Sequence, residues 1–130
     1  LPGTGRRDDL APSSRRGVAR RADMAWVRVC GVDAIEREDV LRFDHGARTF
    51  AIYRSPEGEF FATDGLCTHE KAHLADGLVL GHLIECPKHT GRFDYRTGAC
   101  RRTPVKVPLR TYPTRVHDGS VLIELEGDDG

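Results

Sequence analysis

An all-β fold, an antiparallel β sandwich or barrel, is what this sequence predicts. Three observations carry that reading: the apolar runs are short and alternate with a period of two, turn residues interrupt them regularly, and almost no stretch holds a helical period. Trp26 opens the first run, in which Val27 and Val29 share one face. Residues 34–38 are too few for a stable helix. In 49–54, Phe50 and Ile52 alternate with smaller or polar neighbours, and Ser55-Pro56-Glu57-Gly58 then turns the chain into 59–64, which makes a hairpin. Residues 78–85 read as a second hairpin turning at Gly81-His82. Near the end Tyr112, Thr114 and Val116 alternate with Pro113, Arg115 and His117, and Pro113 assigns that strand to an edge or a bulge. His117-Asp118-Gly119-Ser120 is a strong turn signal, and Val121, Ile123 and Leu125 follow on one face.

The chain of 130 residues suits one domain. It contains no run of 18 apolar residues, so no membrane span is expected. Lys plus Arg and Asp plus Glu both total 20, yet residues 1–23 hold six arginines against three aspartates. This Arg-, Gly-, Pro- and Ser-rich stretch shows no apolar period and is expected to be a disordered or non-native extension, with Met24 at or near the native start. A twin-arginine signal would need an apolar stretch after the arginines, where Arg20, Arg21 and Asp23 stand instead, and Asp8 and Asp9 disfavour a mitochondrial leader. A cytoplasmic location is therefore expected. Residues 24–130 carry 14 basic and 17 acidic side chains, a formal charge of −3. Such a domain has no nucleic-acid signature and is expected to dock on basic patches of other proteins.

Residues 66–75 and 86–99 break the strand pattern, being rich in Gly and His and poor in large apolar side chains. With the hairpin between them they form a clip, a smaller two-loop subdomain at about 66–100 whose loops meet at its tip. Each loop offers one cysteine and one histidine, Cys67-Thr68-His69 and Cys86-Pro87-Lys88-His89, with 16 residues between the two groups. Thiolates and imidazoles are ligands that both iron–sulfur clusters and zinc accept. A single Cys or His is more often a buried thiol or a surface ring. Four on matched loops point to a metal centre, either a cluster or a structural zinc module.

The pattern resembles that of the Rieske family: Cys-x-His, a gap of this length, then Cys-x-x-His. The resemblance extends to Gly91-Arg92-Phe93-Asp94, to Thr97-Gly98, and to Pro104, which stands where the family has a third loop covering the cluster. It covers residues 26–126, and the wording is similar to soluble Rieske ferredoxins, including those of the rhizopine-catabolism type and of oxygenase systems. It implies the Rieske fold and a [2Fe–2S] cofactor bound by Cys67, His69, Cys86 and His89, with the cysteines on the inner iron and the histidines on the outer. Two ferric ions, two sulfides, two thiolates and two neutral imidazoles sum to no net charge, so reduction is easier than in a four-cysteine cluster.

The implied function is one-electron transfer from an NAD(P)H-dependent flavin reductase to an oxygenase, as a carrier and not an enzyme. A small Rieske subunit of a nitrite-reductase-type enzyme is the alternative within the family. High-potential members have a loop disulfide, and here its positions hold Lys88 and, more loosely, Ala72. They also have a serine and a tyrosine that donate to the cluster sulfurs, where this chain has Gly91 and Phe93. A hydrogen bond to a charged group is worth about 1.5–3 kcal/mol, at most about 65–130 mV for one electron. A potential toward the lower end of the family range is therefore expected.

The remaining candidates read more plainly. Cys30 and Cys100 are expected to be buried or half-buried thiols, their pairing left open. His73 and His82 lie near the loops and are expected to be solvated, with a supporting or docking role as the alternative, and His45 and His117 are read as surface or turn residues. Lys71, Lys88 and Arg92 are placed along the cluster tip as solvated charges, with the guiding of a partner as the alternative. Trp26 is read as core.

Overall fold

The computed structural model describes residues 24–69 and 71–126, so the expectation for residues 1–23 lies outside it. Among the described residues eleven strands follow in order: β1 (Met24–Gly31), β2 (Asp39–His45), β3 (Arg48–Arg54), β4 (Phe60–Asp64), β5 (Leu78–Leu80), β6 (Leu83–Glu85), β7 (Arg92–Asp94), β8 (Cys100–Arg102), β9 (Thr111–Tyr112), β10 (Thr114–His117) and β11 (Ser120–Glu126). Helical structure among the described residues is confined to 3-10 turns at Val32–Ala34 and Leu74–Asp76. None is long or apolar enough to cross a membrane.

The strands form three sheets, ordered β1-β11-β10, β2-β3-β4-β9 and β5-β6-β7-β8. The two hairpins of the N-terminal half and the middle of the chain form as their turns dictate. β3 pairs with β4 from Phe50↔Asp64 to Arg54↔Phe60, and β5 meets β6 at Leu80↔Leu83, with Gly81 at φ 63°. At the last hairpin, His117↔Ser120 closes over Asp118 and Gly119, both in the left-handed region. Two consecutive residues of positive φ match the strand twist, as Asp-Gly turns do. Contacts divide the described chain into a main unit, Val27–Ile123, and a small one of residues 24–26 with 124–126.

Two expectations change. β3 is buried on both faces, since Phe50, Ala51, Ile52 and Tyr53 are all fully enclosed. It lies between β2 and β4 in its sheet, so its period of two separates two cores and not core from water. Phe50 meets Tyr112 edge-on at 5.1 Å on one side. On the other, Ala51 and Tyr53 join the cluster that contains Leu74, Ile84, Phe93 and Tyr95. Tyr53 stacks on Tyr95 with centroids 4.6 Å apart and planes 4° from parallel, an arrangement worth about 0.5–1.5 kcal/mol beyond area burial.

The strand expected across Tyr112–Val116 is instead two strands in different sheets. β9 pairs with β4, and after Pro113 β10 pairs with β11. Proline has no N–H to give either ladder, so the break falls there. Val116, expected inside, is 53% exposed.

The small sheet β5–β8 is tied to the segment after it through Gly98. Its N–H donates to the Asp94 carbonyl at 2.7 Å and its carbonyl accepts from the Leu109 N–H at 2.9 Å. At φ 83° a Cβ would sit 2.1 Å from the Leu109 carbonyl oxygen. Gly98→Ala should therefore lose about 1–2 kcal/mol from the left-handed backbone and about 1 kcal/mol more from the displaced bond, read as a lowered Tm.

Candidate metal centre

Each of the two loops is a six-residue arc closed at its base by one backbone hydrogen bond. The Cys67 N–H donates to the Ala72 carbonyl at 2.9 Å, and the Cys86 N–H donates to the Gly91 carbonyl at 2.7 Å. The first arc is held further by Leu74 N–H to Gly65 and by the bridge between Leu66 and His73. In the second, His89 and Thr90 both take left-handed backbone, φ 64° and 57°. For a β-branched threonine that conformation is a genuine outlier, and such strain collects at functional sites. Arg92–Asp94, expected within the loop, is strand β7, so the open part of this loop is shorter than its sequence suggested.

Because both cysteines begin their arcs, they stand at the buried base. Cys67 is 5% exposed and Cys86 1%, and both belong to the core cluster around Phe93 and Tyr95. His69 and His89 lie further along, exposed, with ring centroids 5.6 Å apart. No two of the four cysteines form a disulfide, and Cys30 and Cys100 are half-buried. Two sheltered thiols without a disulfide, below two neighbouring exposed imidazoles, are a donor set that suits two metal ions of unlike ligation. Among the described residues no three His, Cys, Asp or Glu side chains converge as a single-ion site.

A third segment touches both arcs. The Thr68 hydroxyl donates to the Val107 carbonyl at 2.6 Å. On the second arc, a Cβ at Gly91 would come within 2.5 Å of Val105 and 3.4 Å of Pro104. Pro104 thereby stands beside the second arc. Lys71 and Lys88 stand exposed by the arcs, whereas Arg92 turns to Glu85, with Nε at 2.9 Å.

His73 departs from its expectation: it is buried at 6% exposure. Its Nδ1 accepts from the Ala75 N–H at 3.0 Å, which leaves the proton on Nε2 to donate to the Thr49 hydroxyl at 2.8 Å. That hydroxyl donates to Asp44, whose carboxyl is held below the usual carboxylate range by this bond and by Arg42. Burial, with Arg42 nearby, lowers the His73 pKa. No sequence signal separated this histidine from a solvated one, since its partners come from β2 and β3. His82 is half-exposed and meets Glu57 at 2.7 Å, while Trp26 is half-buried.

A folded pKa below the unfolded value of 6.5 means that His73 stabilises the fold fully above that pH and less as pH falls through the folded value. His73→Phe should cost about 1–3 kcal/mol through the lost bonds. It should also flatten this part of the pH dependence of thermal unfolding.

The Rieske [2Fe–2S] domain family model matches residues 25–113. The ferredoxin component of the naphthalene 1,2-dioxygenase/salicylate 5-hydroxylase systems of Ralstonia sp is 39% identical over 101 residues, spanning 78% of this chain and 96% of that protein. The Sphingomonas yanoikuyae B1 ferredoxin superposes with a TM-score of 0.73 at 38% identity, covering 78% of this chain and 99% of its own. A complex of reduced oxygenase and oxidized ferredoxin in carbazole 1,9a-dioxygenase gives 0.73 at 34% identity, covering 81% and 95%. The chain belongs to the Rieske [2Fe–2S] family, as an electron-carrying ferredoxin with the two-iron cluster as its cofactor.

Proposed function

We propose that Cys67 and Cys86 hold one iron of the cluster and His69 and His89 the other, and that the chain carries single electrons to an oxygenase from an NAD(P)H-dependent flavin reductase. The observation that carries this is the pair of matched arcs, each with its cysteine in the core and its histidine at the surface. When bound, the cluster takes up and gives back one electron. The residues supply the rest. Phe93, Tyr95 and Leu74 keep water from the thiols. The exposed histidine rings give the electron a short way out. Relatives named as ferredoxin components of dioxygenase systems, and a solved oxygenase–ferredoxin complex, support an oxygenase as acceptor.

The low-potential reading also gains support. Phe93 has no hydroxyl to donate, and Gly91 has no room for one while Val105 stays where it is. The midpoint potential of the purified protein should fall in the lower half of the Rieske range of about −150 to +300 mV; a value near the top would contradict it.

His69→Ala and His89→Ala should each abolish the red-brown colour and the rhombic resonance of the reduced protein, while Cys30→Ser keeps both. Retention of the spectrum in either histidine variant would refute the ligand assignment.

A further inference from the structure

The formal charge of the domain conceals an uneven distribution. Residues 66–110 hold eight Lys and Arg against four Asp and Glu. The rest of the main unit, 27–65 with 111–123, holds six against nine. Inside the lobe, Arg92 pairs with Glu85 and Arg96 with Asp94, both at 2.9 Å. Those pairs remove two of the lobe's four acids, Glu70 and Asp76 being the others. Lys71, Lys88, Arg101, Arg102 and Lys106 are exposed, and of these Arg101 also acts on Asp94.

Two of these cations lie on a groove that joins the two arcs. Its walls include Arg42, Leu66, Lys71, Asp76, Pro87 and Lys88. Leu66 is 41% exposed, and Val107, on the segment bound to Thr68, is 58% exposed. Exposed Leu66 lies in this groove with Lys71 and Lys88, against Asp76 as the single acid among the described residues and an Arg42 already paired with Asp44. Lys88 precedes exposed His89 in the chain. An apolar centre with a charged rim has the composition of a protein docking face. Its sign is opposite to the one expected from the formal charge of the domain.

We propose that this face docks an acidic surface of the electron-accepting oxygenase, the partner with which a similar ferredoxin is seen in complex, and that the asymmetry between the lobe and the rest of the unit turns the histidine edge toward it. The proposal rests on the carrier reading above. Charged patches set approach and orientation before contact, so the effect belongs to the association rate.

The test uses the full-length holoprotein, reduced and mixed in stopped flow with ferricyanide, an anion, or with hexaamminecobalt(III), a cation. Each takes one electron, giving ferrocyanide or cobalt(II). Raising the salt from about 0.01 M to about 0.1 M shortens the screening length from about 30 Å to about 10 Å. The ferricyanide rate should then fall at least about twofold, and the cobalt rate should rise. In the double variant Lys71→Glu/Lys88→Glu the sign of both salt effects should reverse, and in Lys71→Gln/Lys88→Gln both should shrink. Sign is the readout because a changed potential alters rates at every salt. Poly-L-glutamate should slow ferricyanide oxidation of the natural protein and lose that effect in the Glu variant. Equal slowing of both proteins would place binding elsewhere, on the arginines of residues 1–23 for instance, and overturn the proposal. So would a ferricyanide rate that rises with salt. A protein with no cluster spectrum, or one neither oxidant can oxidise, would instead refute the carrier reading itself.

Discussion

One backbone hydrogen bond at the base of each arc governs the centre. By joining residues five apart, Cys67 to Ala72 and Cys86 to Gly91, the two bonds set how far each loop rises from the core. A cysteine at the first position of the arc is then necessarily inside, and a histidine two or three positions on is necessarily outside. The difference in burial between thiol and imidazole follows from where each stands in its arc, and so does the difference in chemistry. A sheltered thiolate is protected from water and oxidant, while an exposed imidazole is within reach of another protein.

The arcs hold their shape because what lies beneath them is rigid. β3 has a core on each side, and one of these contains both cysteines together with the Tyr53–Tyr95 stack. The small sheet β5–β8 supplies Ile84 and Phe93 from adjacent strands, paired at Ile84↔Phe93. Above, Val105 and Val107 bring a third segment against both loops. The proposed cluster site thus rests on packed side chains, with a third segment that accepts the Thr68 hydrogen bond and crowds Gly91.

Much of this was legible in the sequence because it is local. Turn chemistry at Ser55–Gly58, Gly81-His82 and Asp118-Gly119 placed three hairpins, and the spacing of Cys67, His69, Cys86 and His89 marked the proposed ligands. What could not be read depends on which strand ends up beside which. The two-sided burial of β3 comes from its neighbours β2 and β4 and leaves no mark in its own alternation. Pro113 announced a break, but only the pairing of β9 with β4 and of β10 with β11 shows that the chain changes sheets there. His73 has ordinary sequence neighbours, and its burial comes from Thr49, more than twenty residues earlier. Charge was misleading for a related reason: a sum over the chain is blind to which cations fold onto one lobe.

The contact between Gly91 and Val105 has a consequence for substitution at either position. A serine at 91 would meet the valine methyl before its hydroxyl could do anything useful, so the two positions are not independent under mutation. A side chain at 91 therefore requires Val105 to move aside or to be replaced by a smaller residue, and that replacement by itself opens a void next to the two arcs. The room for a hydroxyl at 91 is thus set by the side chain at 105, on a segment fourteen residues further along the chain.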